Sequence, residues 1–336
     1  MALSGDVPRS VLTRVNAGRK KSRDDIIEVF QGSPVQWLRQ ATGVRPGRRF
    51  NSGRDHYQGG LLLTLTRAKL ATGSAGDPLP TVFNTLATEG VHFRRGQFTL
   101  VAAAPGVGKS AFALTLALKA AAPGFYFSAD TDPLTTYLRS GAMLTGWKTG
   151  DIENAVEHHN TATVDAYLER LNHIRFDFAG CITVDAIEDQ LQAFVMAYGE
   201  WPHAIFVDNL SNLDMPESPE GYLALEAACD YLHQLGRQTS AAITALHHVT
   251  GAYDDGVTPV PMSGLRGKVS KVPETILTLY RTGSGDSGQL HVCPVKNRTG
   301  KADPSGAWSV PLAYEPSRMH ISDTPTSDYG GGERYA

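Results

Sequence analysis

The sequence predicts an α/β protein whose mostly parallel sheet is covered by helices on both faces, with a short irregular or helical extension in front. Three observations carry this. Between about residues 80 and 320, apolar strand-like runs alternate with amphipathic helical runs. The strand-like runs are apolar at consecutive positions, as in strands buried on both sides. At one junction a strand enters a glycine-containing loop, and the loop enters a helix that begins Lys109-Ser110.

In chain order, residues 1–78 form the extension and its linker. Residues 1–60 hold eleven Lys/Arg and five Asp/Glu, a local balance of +6, which leaves −9 for the rest of a chain whose net charge is −3. The first 24 residues read as a mobile basic stretch. A short helix is expected over 24–40 and another over 61–70, and the linker Gly73 to Pro78 marks the main boundary. Residues 79–320 form the core. Its expected strands are 97–103, 124–129, 174–178, 204–208, 241–246, 275–280 and 290–295. Its expected helices are 109–121, 133–143, 164–173, 184–198 and 221–238. Residues 321–336, rich in Ser, Thr and Gly, read as a disordered tail.

Composition removes several classes of function. The chain is 41% hydrophobic and 19% charged over 336 residues, enough for a sizeable core. Bulk charge does not draw it to nucleic acid or acidic lipid, so any such attraction must be local. No apolar run approaches the ~18–20 residues of a membrane span, and no secretory signal is visible. Cys181, Cys229 and Cys293 lack the spacing of a disulfide framework or a zinc site, which fits a reducing cytosol.

The most specific signal is the loop Ala104, Pro105, Gly106, Val107, Gly108, Lys109, Ser110. Phosphate needs close backbone approach, free N–H groups and the positive end of a helix dipole, and a strand–glycine loop–helix supplies all three. Lys109 would reach the β- and γ-phosphates of ATP, and the Ser110 hydroxyl would hold Mg²⁺. The strict GxxxxGK[ST] pattern is missed only at its first position, which is Ala103.

Two acidic strand ends follow. Asp130, at the end of the strand next to the phosphate loop, is placed to polarise an attacking water. Asp132 reads as a helix cap ahead of Pro133. Asp208 ends a buried strand in the manner of a Walker B aspartate that holds Mg²⁺ through its water shell. The next residue is Asn209 rather than Glu, so a base beside Asp208 is absent. The strand over 241–246 runs into His247 and His248. One of these could sense the γ-phosphate, and His247 reads as the plain surface residue of the two. The long loop 249–271 then carries Arg266, Lys268 and Lys271, suited to gripping phosphates without reading sequence. Asp254 and Asp255 work against a purely basic loop. A second loop, 211–221, is acidic through Asp214, Glu217 and Glu220, and binds phosphate poorly.

Over roughly residues 80–316 these segments resemble the RecA-like P-loop NTPase core of DnaB-type hexameric helicases, in a compact, phage-like version. Phe127-Ser-Ala-Asp130 is similar to that family's Phe-Ser-Leu-Glu strand end, whose Glu is the catalytic base; Asp is one methylene shorter. Phe206-Val-Asp208 looks like its Walker B segment. His248 falls on its sensor position, where histidine is similar to phage ring helicases. Met262-Ser-Gly-Leu-Arg-Gly267 resembles the segment after the second DNA-binding loop. Lys296 and Arg298 match a Lys-x-Arg-x-Gly element whose charges reach the γ-phosphate bound by the neighbouring subunit; from spacing alone they read as hairpin charges.

The resemblance implies a ring, a hexamer in the family's usual form, that hydrolyses ATP with Mg²⁺, translocates 5′ to 3′ on single-stranded DNA and unwinds duplex during replication. It also implies a primase or loader as partner, although the helical collar that meets primase is not recognisable in residues 1–78. Two other readings stay open from the residues: a RecA-type recombinase or mediator that forms filaments, and a slow ATP-gated binding scaffold.

Overall fold

A computed structural model describes residues 76–215 and 221–324. The expected helices over 24–40 and 61–70, and Glu217 and Glu220 of the acidic loop, lie outside the described residues. Asp185–Trp201 belongs to a separate compact unit from Lys69–Val184 and Pro202–Ala336.

In the larger unit a short helix, α1 (Asn84–Thr88), precedes β1 (Phe98–Ala103) and α2 (Lys109–Lys119). Then come β2 (Gly124–Ser128), α3 (Pro133–Thr145), α4 (Thr149–Glu157), α5 (Ala162–Leu168), β3 (Ile174–Asp177) and β4 (Ile182–Thr183). The smaller unit supplies α6 (Val184–Tyr198), whose buried Ile187, Leu191 and Phe194 form one helical stripe. The chain continues through β5 (Ala204–Asp208), β6 (Leu213–Asp214), α7 (Tyr222–Thr239), β7 (Ala242–His248), β8 (Thr275–Thr282), β9 (Gly288–Asn297), β10 (Val310–Glu315) and β11 (His320–Asp323).

Nine strands make one sheet in the order β11-β10-β9-β8-β1-β7-β5-β2-β3. From β8 to β3 every pairing is parallel. From β8 to β11 every pairing is antiparallel. β1 and β5 are buried at every position, as their unbroken apolar runs require. Asp132 caps α3 as expected, accepting from Thr135 N at 3.0 Å with Pro133 at the first helical position.

The structure corrects three expectations. The strand that ends at Asp130 is next to the phosphate loop in sequence only: in the sheet, β7 and β5 separate β2 from β1. Residues 321–323 are not tail. They pair with β10, and Asp323 accepts from Asn84 N, Thr85 N and Thr85 Oγ1 at 2.9, 3.0 and 2.6 Å, which satisfies the first turn of α1. Alternation in β10 (Leu312 and Tyr314 buried, Pro311 and Ala313 less so) marks a half-covered antiparallel strand, a pattern with no counterpart in the apolar runs further up the chain. The third correction is the stretch 249–271, expected as a mobile loop. Val249 bridges Leu265, the Val260 carbonyl accepts from Thr278 Oγ1 at 2.6 Å, and Val260, Leu265 and Val269 are buried.

Candidate phosphate-binding and hydrolytic site

β1 delivers its backbone into the loop 104–108 at the C-terminal edge of the parallel strands. Gly106 and Gly108 have φ of 77° and 120°, conformations that favour glycine. No side chain caps α2, so its first N–H groups remain for an anion. Lys109 is buried at 9% exposure with its charge felt by Asp208, His247 and His248. Two neighbours hold the loop in shape. An added Cβ on Gly108 would meet the Tyr314 ring at 3.1 Å, and one on Gly256 would meet Val107 Cγ2 at 2.4 Å. The chain after β7 therefore folds back onto the phosphate loop.

Asp208 ends β5 at 1% exposure. Burial raises its pKa, and Asp130 adds to this; the Ser110 hydrogen bond, the Lys109 charge and the Tyr126 hydrogen bond oppose it. Tyr126 Oη donates to its Oδ2 at 3.2 Å, while Oδ1 is buried with no hydrogen-bond partner. A buried carboxylate oxygen left unsatisfied beside a serine hydroxyl fits Mg²⁺, a hard cation that takes oxygen ligands and keeps several waters. Among the described residues no cluster of three or more His, Cys, Asp and Glu could hold a metal. Any Mg²⁺ here would thus depend on substrate phosphates for the rest of its coordination.

Asp130, exposed after β2, accepts from the Asn209 side-chain amide. Asn209 Nδ2 also lies 3.2 Å from His248 Nε2. The sheet order explains the meeting: β5 runs between β2 and β7, so Asn209 stands between Asp130 and His248. Burial lowers the pKa of His248, helped by Lys109 and Arg266 and opposed by Asp130 and Asp208. Asn209 is the functional residue that sequence reasoning missed. It registered there only as the absence of a glutamate; its position at the end of a strand already known to carry Asp208 was the available signal.

His247 is not the surface residue expected. It is fully buried, and its Nε2 donates to the Arg266 carbonyl at 2.6 Å, which ties β7 to the stretch carrying the basic residues. Desolvation holds its pKa down at about 4. The pair does alternate across the strand, with His248 alone turned to the site.

The remaining candidates lie away from the phosphate loop. Arg266 and Lys268 are exposed, and Lys271 is paired with Glu226 at 3.0 Å. Lys296 Nζ donates to the carbonyls of Ser270 and Lys271 at 2.6 and 2.9 Å. Arg298 meets Glu274 at 3.5 Å. β9 runs antiparallel to β8, with Asn297 opposite Thr275 and Thr275 beside Thr99 at the start of β1. Lys296 and Arg298 are therefore at the N-terminal edge of the parallel strands, and Lys109 is at the C-terminal edge.

A glycine loop on an uncapped helix, a buried aspartate on the second strand over, and a parallel sheet in this order define a RecA-like P-loop ATPase core. Residues 86–252 match the family described as AAA domain. The chain belongs to the family of the Gene 65 proteins of mycobacteriophages. It is 44% identical to that of Mycobacterium phage L5 over 256 residues, 75% of this chain and 95% of that protein. To that of Mycobacterium phage D29 it is 40% identical over 229 residues, 67% of this chain and 98% of that protein.

In fold, the chain is similar to a solved helicase-type ATPase domain, with TM-score 0.63 and 18% identity over 77% of this chain and 96% of that one. It is also similar to a DnaB-like replicative helicase whose structure was described with its primase interactions. There the TM-score is 0.66 and the identity 17%, over 90% of this chain and 74% of that one. The core thus has the fold of DnaB-type helicase ATPase domains. No described helix is long and apolar enough to cross a membrane.

Proposed function

We propose that this chain is the subunit of a ring-forming, ATP-driven DNA helicase of the DnaB type, which moves along single-stranded DNA and opens duplex during replication, in the cytoplasm of a host cell. One observation carries the reading: Lys109 and Arg298 lie at opposite edges of one sheet. An arginine that serves a phosphate site from there must serve another subunit's, so hydrolysis depends on assembly. Such fingers are worth roughly 10³–10⁵ in rate.

In this reading the N–H groups at the start of α2 and the Lys109 ammonium hold the phosphates of ATP. Ser110 and Asp208 hold Mg²⁺, which when bound neutralises charge on the phosphates. Asp130 takes the proton of the attacking water, and His248 senses the γ-phosphate. Arg298 is exposed and keeps only a 3.5 Å contact to Glu274, so turning to a neighbour's phosphate costs little. Lys296, held by two carbonyls, steadies the element that presents it. Arg266, Lys268 and Lys271 grip the DNA backbone. A hexamer is the expected ring, and contact with a primase or loader falls to residues 1–78.

The test is ATP hydrolysis with and without single-stranded DNA, with mass photometry on the same samples and a strand-displacement assay. DNA-stimulated turnover by a ring-sized species that displaces a strand is expected. DNA-independent turnover by a monomer would overturn the reading, and strand exchange without displacement would replace it by a recombinase.

A further inference from the structure

Resting on that functional reading, we infer that Asn209 is the positioning residue of the hydrolytic centre: its side-chain amide ties Asp130 to His248 and fixes which nitrogen of His248 carries the proton. Asn209 is 1% exposed, and all of its side-chain hydrogen-bonding capacity is engaged. Its Oδ1 accepts from Ser211 N at 2.9 Å and from the Ser211 hydroxyl. A backbone N–H cannot point at an NH₂ group, so the Ser211 turn sets the orientation of the amide. Nδ2 then faces the site, where its two hydrogens go to Asp130 Oδ2 and to His248 Nε2.

A ring nitrogen that accepts a hydrogen bond carries no proton. His248 is biased to the neutral form by burial and by Lys109, so its proton sits on Nδ1. Asn209 thereby presents His248 as an Nδ1–H donor and holds one oxygen of Asp130, leaving the other to accept from water. The same side chain joins the end of β2, the root of the segment after β7 and the Ser211 turn. It touches no reacting atom itself.

Asn209→Asp separates this role from a purely local turn. The isosteric carboxylate still accepts from Ser211 N–H, so the turn is kept, but both donors are lost. In full-length protein carrying ¹⁵N-histidine, assigned with His248→Gln, the wild type should show His248 Nε2 unprotonated. In Asn209→Asp, Nε2 should gain a proton. Turnover should fall about tenfold or more while ATP affinity, read with a fluorescent ATP analogue, changes less than about threefold. Nε2 protonated in the wild type, or unchanged in Asn209→Asp, overturns the inference whatever the turnover. The spectrum is taken without nucleotide, so a wild type that hydrolyses no ATP would remove the proposed function and leave the tautomer result standing.

Discussion

Arg298 meets Glu274 at 3.5 Å, and the same Glu274 accepts from the backbone N–H of Phe98, the first residue of β1, at 3.0 Å. One carboxylate thus joins the outward-facing arginine to the root of the strand whose other end forms the phosphate loop. His233, 3.3 Å from Glu274, completes the cluster. The geometry separates the two halves of a shared site within each subunit.

Arg298→Ala and Asp130→Asn spoil different sides of the subunit interface. Each variant alone should lose most turnover, and so should Lys109→Ala. Mixing Arg298→Ala with Asp130→Asn subunits should recover a fraction, because some interfaces then pair two intact halves. ATPase assays across mixing ratios check this, and no recovery at any ratio counts against catalysis in trans.

Asp208 is buried with an unsatisfied oxygen, and burial raises its pKa. A carboxylate whose folded pKa lies above its unfolded value loses stability as pH rises through that range, so at neutral pH the ionised group destabilises the nucleotide-free fold. Asp208→Asn should raise Tm in the absence of Mg²⁺ and nucleotide, by about 2–4 °C if the relief is about 1 kcal/mol, while abolishing Mg²⁺-dependent turnover. Thermal unfolding of both proteins decides it; a lower Tm in the variant would contradict the account.

His247 works in the opposite direction. Its folded pKa, about 4, lies below the unfolded value of 6.5. Between those values the unfolded chain binds a proton that the native chain refuses, so stability falls as pH drops from about 6.5 to about 4, by up to about 3 kcal/mol. His247→Gln can keep a donor toward the Arg266 carbonyl without titrating. Its Tm should therefore fall less over this range than the wild type's, and parallel Tm–pH curves would exclude His247 as the source.

Gly256 has φ of 67°, and a Cβ there would stand 2.4 Å from Val107 Cγ2 in the phosphate loop. Gly256→Ala should push the covering segment off the loop, cost roughly 1–3 kcal/mol of stability and weaken ATP binding. Unfolding and ATP titrations measure both; an unchanged ATP affinity would show that the contact does not shape the loop.

Arg266 and Lys268 are exposed, whereas Lys271 is already paired with Glu226. Arg266→Ala and Lys268→Ala should each weaken single-stranded DNA binding and reduce the salt slope by about 0.7, with a smaller change for Lys271→Ala. Binding titrations over a range of salt test this, and unchanged slopes would move the DNA path elsewhere.

Much of the core was legible in the chain because each parallel strand is a continuous apolar run. The run ending at Asp208 gave its strand to the residue, and those ending near Ala103, Ser128 and His248 gave theirs to within about two residues. β10 and β11 were not legible: a half-covered antiparallel strand and a four-residue edge strand carry too little apolar signal. The short helix α4 was missed because only Ile152 on it is buried. The phosphate loop was legible because its chemistry is local: glycines, a lysine and a helix start in seven consecutive residues.

By itself, then, the sequence determined the α/β class, the position of the phosphate loop and the strand ends bearing Asp130, Asp208 and His248, since each depends on a local run of residues. Only the tertiary structure decided what meets at those ends. Strand order is set by long-range pairing, which leaves no periodic trace in the chain. It places β5 between β2 and β7, and so places Asn209 between Asp130 and His248. The same pairing sends Lys296 and Arg298 to the far edge, buries His247 and folds Gly256 onto Val107.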